Sequence, residues 1–293
     1  MSAPASVPAL EPSARDAYRR DGYYIYRGLF DKGVAEAAGR WLKQQDHAAL
    51  AKSWTEQEPG VPLAVFRGVH QGAHPVAQLA RDQRMLDIAG ALMDAPVYIW
   101  TSKVNVKAAW CGTAEYYHQD LVYWKDRGYP KNDMLSAMIL LDSHAMRNAA
   151  LHVVPGSHRE GIVEHVPFIN INGLGKYMVP PATMDRLYRD HGLLTVEGEP
   201  GDVVFFHAAL VHGSSHNISP HSRMIILSQL NTVGNEPVDV LSNAREFNLR
   251  RADFELREAE RRLEWFTRKH TEQLASSEPT FTAPIPEEER RRP

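Results

Sequence analysis

Five residues spread along the chain are of types that do chemistry together. His118 and Asp120 stand two apart in EYYHQDLVYW, and His207 and His212 lie in FFHAALVHGSSH, followed by Arg223. If the first pair lies in a strand, residues i and i+2 point to one face, so an imidazole and a carboxylate can reach one ion. A third ligand must then come from the distant histidines. His207 closes an apolar run, and His212 precedes Gly213 at the start of a connecting loop. Two histidines and a carboxylate on one side of an ion leave its other positions open, which suits non-haem iron(II) taking a co-substrate and dioxygen together. A lone His-x-Asp pair is also what a core or surface histidine beside a hydrogen-bonding neighbour looks like. A zinc hydrolase can use the same three ligand types, but no Glu or His is clearly placed as a general base and Arg223 would then lack a purpose.

The elements that must carry these residues are legible from periodicity. A helix is expected over about 13–20, a strand near 24–29, a helix capped by Asp31 over 32–46 and a helix over 75–92. From residue 97 the pattern turns alternating and β-branched in VYIWTSKVNVKAAW, and strands are expected there and over 134–142, 149–154, 193–196, 202–206 and 223–232. About eight strands behind a helical layer suit a mainly β fold, a double-sheet jelly roll with its core over 97–233. The stretch 160–192 has little strand signal and is a candidate cover for a site. Residues 243–276, charged and free of Gly and Pro, are expected to be helical, leaning on the barrel or making a dimer contact; 1–11 and 277–293 are expected to be disordered, which leaves a domain over 12–242.

Composition narrows the class. One cysteine in 293 residues makes no intrachain disulfide, and a net charge of −3 argues against a dedicated nucleic-acid binder. No apolar run approaches a membrane span and the N-terminus is no signal peptide. The expectation is a cytoplasmic protein acting on a small molecule, as monomer or homodimer, with neither nucleic acid nor membrane as partner. Cys111 is a bystander, since an N/O site needs no thiolate.

Several segments together resemble the phytanoyl-CoA dioxygenase superfamily: the N-terminal helix followed by DGY, then HQD, LHVVPGSHREG, GDVVFFHAALVHGSSHNIS and Arg223, over about residues 14–232. Within it, WTSKVNVK thirteen residues before HQD, and the tryptophan of HQDLVYWKD, are similar to the ectoine-hydroxylase and free amino-acid-hydroxylase branch. The resemblance implies a cupin-like double-stranded β-helix and a dioxygenase that uses iron(II), 2-oxoglutarate and O₂ to hydroxylate an unactivated C–H, releasing succinate and CO₂. It places the iron ligands on His118, Asp120 and His212, the co-substrate's anchoring arginine on Arg223, and further co-substrate contacts on Asn105 and Ser214. Glu115 departs from the aromatic or apolar residue that relatives often carry, and Ala137 stands near a place where relatives offer a hydroxyl. A carboxylate at Asp120, where related halogenases have a small residue, favours hydroxylation over halogenation. Desaturation or epoxidation of a secondary metabolite or phosphonate, or a metal-binding relative without turnover, are the alternatives.

For the substrate, Lys103 and Thr101 share a strand face with Asn105. An inward cation is costly unless paired, and by resemblance a basic residue there meets a substrate carboxylate. Trp124 shares the strand parity of His118, Phe206 matches a substrate-packing position, and His152 faces either a structural partner or the barrel interior. Arg147 is a weaker candidate. His158 reads as a turn residue; His144, His216 and His221 read as solvated loop residues.

Overall fold

The structure, a computed structural model, describes residues 10–45, 65–124, 129, 131–169, 175–235 and 249–250. Helix α1 (Pro12–Asp21) ends where Gly22 turns the chain at φ 79°, a conformation that glycine adopts without steric cost. Strand β1 (Tyr23–Tyr26) leads to α2 (Lys32–Lys43), whose first turn is capped by the Asp31 carboxylate accepting from the N–H groups of Gly33 and Val34. After β2 (Val65–Arg67) the single helix expected over 75–92 is two, α3 (Pro75–Ala80) and α4 (Gln83–Met93). The break has a local cause: the Asp82 carboxylate accepts from Arg84 N–H and starts the second helix afresh.

Strands follow: β3 (Val97–Lys107), β4 (Glu115–His118), β5 (Met134–Leu140), β6 (Leu151–Val153), β7 (Val166–Ile169) and β8 (Gly175–Met178). Helix α5 (Pro181–His191) precedes β9 (Leu194–Val196), β10 (Val203–His207), β11 (His212–Ser214), β12 (Arg223–Thr232) and β13 (Leu249–Arg250). The 160–192 stretch thus holds a hairpin, β7–β8, and a helix.

The larger sheet runs β1-β10-β5-β12-β3-β13, with β2 also on β3, and the smaller runs β4-β11-β6-β9. Every pairing is antiparallel. The two sheets make the expected jelly roll. Alternation assigns the faces. On β5, Leu135, Ala137 and Ile139 pack against Ala38 and Leu42 of α2 and Met85, Ile88 and Leu92 of α4. Met138 and Leu140 point the other way, and with Val204, Phe206, Ile225 and Leu227 they meet Leu151, Val153 and Val196 of the smaller sheet. The site lies on this second face. A bulge shifts β3 against β12 between Gln229 and Leu230. It changes the parity of β3, so that Trp100 and Thr101 both leave the helix-facing side and Thr101, Lys103, Asn105 and Lys107 line the inner face.

The helix expected over 243–276 does not include Leu249 and Arg250, which pair with Ile99 and Tyr98 as an edge strand. The edge of β3 beyond β2 leaves backbone N–H and C=O groups open, and an extended segment satisfies them. The rest of that helix, the tail 277–293 and residues 1–9 lie outside the described residues. Among the described residues no helix is long and apolar enough to cross a membrane.

Candidate metal centre

His118 closes β4 and His212 opens β11, and the two are directly opposite in register. Their rings lie 4.4 Å apart between centroids. Asp120 is not in the strand: it begins a 3-10 turn, Asp120–Tyr123. Gln119 fixes that turn. Its amide donates to the carbonyls of Gly161 (2.7 Å) and Ala209 (2.6 Å), and its oxygen accepts from Val163 N–H. Asp120 Oδ1 lies 3.7 Å from His118 Nε2 and 3.9 Å from His212 Nε2. The three ligand atoms fall within 4.8 Å of one another.

The ring nitrogens are committed in the way a metal requires. His118 Nδ1 donates to Tyr116 O (2.8 Å) and His212 Nδ1 to Leu210 O (2.9 Å). Each imidazole therefore turns its Nε2 lone pair inward. Burial, with the His118 charge adding to it, pushes His212 down to about 4, so at neutral pH it is an unprotonated donor. Burial alone would raise the Asp120 carboxyl, but the two histidines beside it and the Lys103 charge hold it well below the usual carboxylate range. Two inward-facing Nε2 atoms and an ionised carboxylate fit a divalent ion.

Arg223 begins β12 on the inner face, directly opposite Lys107. Both are buried. Burial lowers the guanidinium to about 10, against the opposing pull of Asp142 and Glu115. Its Nη1 donates to Ala149 O, while Nε is buried without a hydrogen-bond partner. A buried, half-satisfied guanidinium is a place for a ligand carboxylate, and 2-oxoglutarate has one to offer.

Other sequence-derived candidates divide. Thr101, Lys103 and Asn105 stand on the inner face, and the Lys103 charge acts on Asp120, His212 and Glu115. Ser214 is buried two residues after His212. The Phe206 ring packs 4.9 Å from His212. Trp124 is a correction. Residues 120–123 form a turn, so strand parity does not apply, and its ring joins Trp100 (4.9 Å) in a buried cluster with Leu121 and Met134. Tyr123 is the aromatic residue beside His118, 6.0 Å away and edge-on. His152 is a second correction. It alternates with Leu151 and Val153, which pack between the sheets, so it faces outward and pairs with Thr195 Oγ1 (3.1 Å). His207 accepts from Ala209 N–H and lies 5.4 Å from His158, away from the ligand cluster. His144 is buried rather than solvated, with Nε2 directed at Met224 O. Arg147, His216, His221 and Cys111 are exposed.

Three groups at the site went unmarked in the sequence, Lys107, Ser136 and Gln229, and a fourth, Glu115, was marked there without a role. Lys107 carries a charge beside Arg223, holding the carbonyls of Thr113 and Ser215. Ser136, one residue before Ala137, faces Asp120, while Ala137 faces the helices; in the apolar run MLSAMIL nothing marks which face is which. Gln229 also reaches Asp120. Glu115 is turned inward with His118 by a register shift between β4 and β11. Its Oε1 lies 3.7 Å from Lys176 Nζ on β8. Tyr177 N–H donates to Tyr123 Oη (3.2 Å), so the hairpin leans on the turn that carries Asp120.

This arrangement has counterparts. The family described as phytanoyl-CoA dioxygenase (PhyH) matches residues 18–225, a span that includes all three ligand candidates and Arg223. The chain belongs to the PhyH family. It is 33% identical to the ectoine dioxygenase of Sphingopyxis alaskensis over 238 residues, covering 76% of this chain and 77% of that protein. It is 30% identical to the L-proline trans-4-hydroxylase of Streptomyces griseoviridis over 247 residues, 79% of this chain and 90% of the relative. The crystal structure of EctD from S. alaskensis with 2-oxoglutarate and 5-hydroxyectoine superposes with a TM-score of 0.67 at 29% identity, covering 78% of each chain. The same enzyme has been solved with bound Fe, which superposes at 0.68 and 28% identity over 82% of this chain and 86% of that one. This PhyH protein is a 2-oxoglutarate-dependent non-haem iron dioxygenase.

Proposed function

We propose that this dioxygenase hydroxylates an unactivated C–H of a small, amino-acid-like molecule, with His118, Asp120 and His212 holding the iron. The observation that carries the assignment is the convergence of two Nε2 atoms and one carboxylate oxygen in a buried cluster whose remaining polar atoms are all engaged. Iron with 2-oxoglutarate supplies the oxidising power, coupling decarboxylation to succinate and CO₂ with attack on the C–H bond. The chain's own task is to bind, orient and keep water out.

Arg223 pairs with the far carboxylate of 2-oxoglutarate, with Lys107 adding positive charge beside it and Asn105 and Ser214 flanking the co-substrate. A planar guanidinium fixes that carboxylate in a way an ammonium does not. Lys103 meets a carboxylate of the substrate and Thr101 adds a hydrogen bond. Phe206 and Tyr123 wall the space beside the ligands, and the β7–β8 hairpin, leaning on Tyr123 and Glu115, limits water on that side. The ectoine dioxygenase and the proline hydroxylase among the relatives both act on small zwitterions, and the inner-face lysine supports a substrate of that kind. The protein works as a cytoplasmic enzyme, monomer or homodimer, without nucleic acid or membrane as partner.

A panel of free amino acids, their cyclic relatives and small phosphonates, incubated with enzyme, iron(II) and 2-oxoglutarate, tests the reading by product mass. A product about 16 mass units heavier than its substrate is expected of hydroxylation, with Lys103→Ala raising KM for that substrate more than it lowers kcat. A product about 2 units lighter points to desaturation and overturns the proposed outcome.

A further inference from the structure

Asp120 uses its two oxygens differently. Oδ1 faces the histidines at 3.7 and 3.9 Å. Oδ2 accepts from Ser136 Oγ–H at 2.9 Å and from Gln229 Nε2–H at 3.4 Å. Ser136 and Gln229 are direct partners in the register of β5 and β12, next to each other inside the larger sheet. Both are buried on the inner face, where apolar Met138 and Leu227 lie beside them and Thr101 stands opposite Gln229. A buried hydroxyl and a buried amide need partners, and here both are aimed at the same carboxylate oxygen. Strands hold side chains in place better than loops do, whereas Asp120 itself sits on a short turn.

We propose that Ser136 and Gln229 are positioning residues that fix Asp120 as a one-oxygen ligand and keep its second oxygen off the metal. This rests on the reading of His118, Asp120 and His212 as the ligands. A carboxylate free to rotate can grip an ion with both oxygens. It would then compete with 2-oxoglutarate for the open face. The larger sheet thus sets how many positions the turn-borne ligand occupies.

Cobalt(II), which is redox-stable, serves as the probe, added to the metal-free full-length protein. Ser136→Ala and Gln229→Leu are each expected to weaken cobalt binding by about 10- to 100-fold, as loss of an outer partner of a metal ligand does. In both, the cobalt visible absorption should fall in intensity, as added coordination requires, and KM for 2-oxoglutarate should rise more than kcat falls. Ser136→Thr, which keeps the hydroxyl, should restore all three readouts. A purely packing role would alter the melting temperature of the metal-free protein and leave the cobalt spectrum unchanged. Gln229→Leu gives an independent route should Ser136→Ala fail to fold. Two folded variants with unchanged cobalt affinity and spectrum overturn this inference alone, provided that Asp120→Ala abolishes binding. If Asp120→Ala also binds cobalt normally, the ligand assignment falls with it.

Discussion

At the scale of single residues, the site works by committing every polar atom but the ones that must bind. The Nδ1 protons of His118 and His212 go to backbone carbonyls, Oδ2 of Asp120 goes to Ser136 and Gln229, and three lone pairs are left facing one point. Arg223→Lys keeps the charge but loses the two-pronged geometry. It should raise KM for 2-oxoglutarate at least about tenfold, equivalent to roughly 1.4 kcal/mol, while cobalt binding in the absence of 2-oxoglutarate stays unchanged. His207 offers a separate reading of burial. Desolvation, aided by the nearby His158, pushes it down to about 4, below its ordinary 6.5. A depressed folded pKa means that the unfolded chain binds the proton first. The stabilisation is therefore complete above about pH 6.5 and is lost as the pH falls toward 4, a change on the order of 3 kcal/mol from this one group. Denaturant unfolding between pH 7 and 4 should show that decline, and His207→Gln should flatten it. The types and spacing of His118, Asp120 and the distant histidines were legible in the sequence, while the roles given to Arg223 and Phe206 came from the family resemblance. Ser136, Gln229 and Lys107 were not legible, because each lies in a strand whose inner and outer faces are both buried, so hydrophobicity does not alternate and the face of a residue cannot be read.

Elements decide whether those residues meet. β11 brings His212 against β4 through a residue with no side chain. A Cβ on Gly213 would lie 2.9 Å from Glu115 O and 3.1 Å from Tyr117 Cδ1. Gly213→Ala must push β11 off β4, and with it His212 from His118. The expected cost is about 1–3 kcal/mol of stability, in the range of overpacked sites, together with a loss of cobalt affinity larger than any at Gly33. There an added Cβ would meet only the end of the Asp31 side chain, at 3.1 Å. Paired thermal melts and cobalt titrations of Gly213→Ala and Gly33→Ala check this. Irregularities at this scale also explain where strand parity misled. His118 and Asp120 converge through a strand end and a 3-10 turn, not along one strand, and Trp124 follows the turn into an aromatic cluster. The register shift in β4 that turns Glu115 inward leaves no mark in EYYHQD. The major strands and the jelly roll were legible from alternation and β-branching. The split between α3 and α4 came down to one capping carboxylate.

Across the whole molecule, the ligands join two sheets. His118 and His212 come from the smaller sheet, while Asp120 is held by strands of the larger. An ion at this point ties the two layers together, and metal and 2-oxoglutarate should both stabilise the folded state. Each at 100 times its Kd contributes about 2.7 kcal/mol, enough to raise the melting temperature of a domain this size by about 5–10 °C. Removing the metal with a chelator should reverse the gain, and Asp120→Ala should show no gain from metal at all. The most direct measurement of the iron site is succinate formation by the purified protein, with iron(II), 2-oxoglutarate and O₂ each omitted in turn, beside Asp120→Ala and His212→Ala. Succinate is expected only when all three are present, and none above background from either variant. Succinate released at full rate by Asp120→Ala or His212→Ala, or by the wild type without iron, would contradict this expectation.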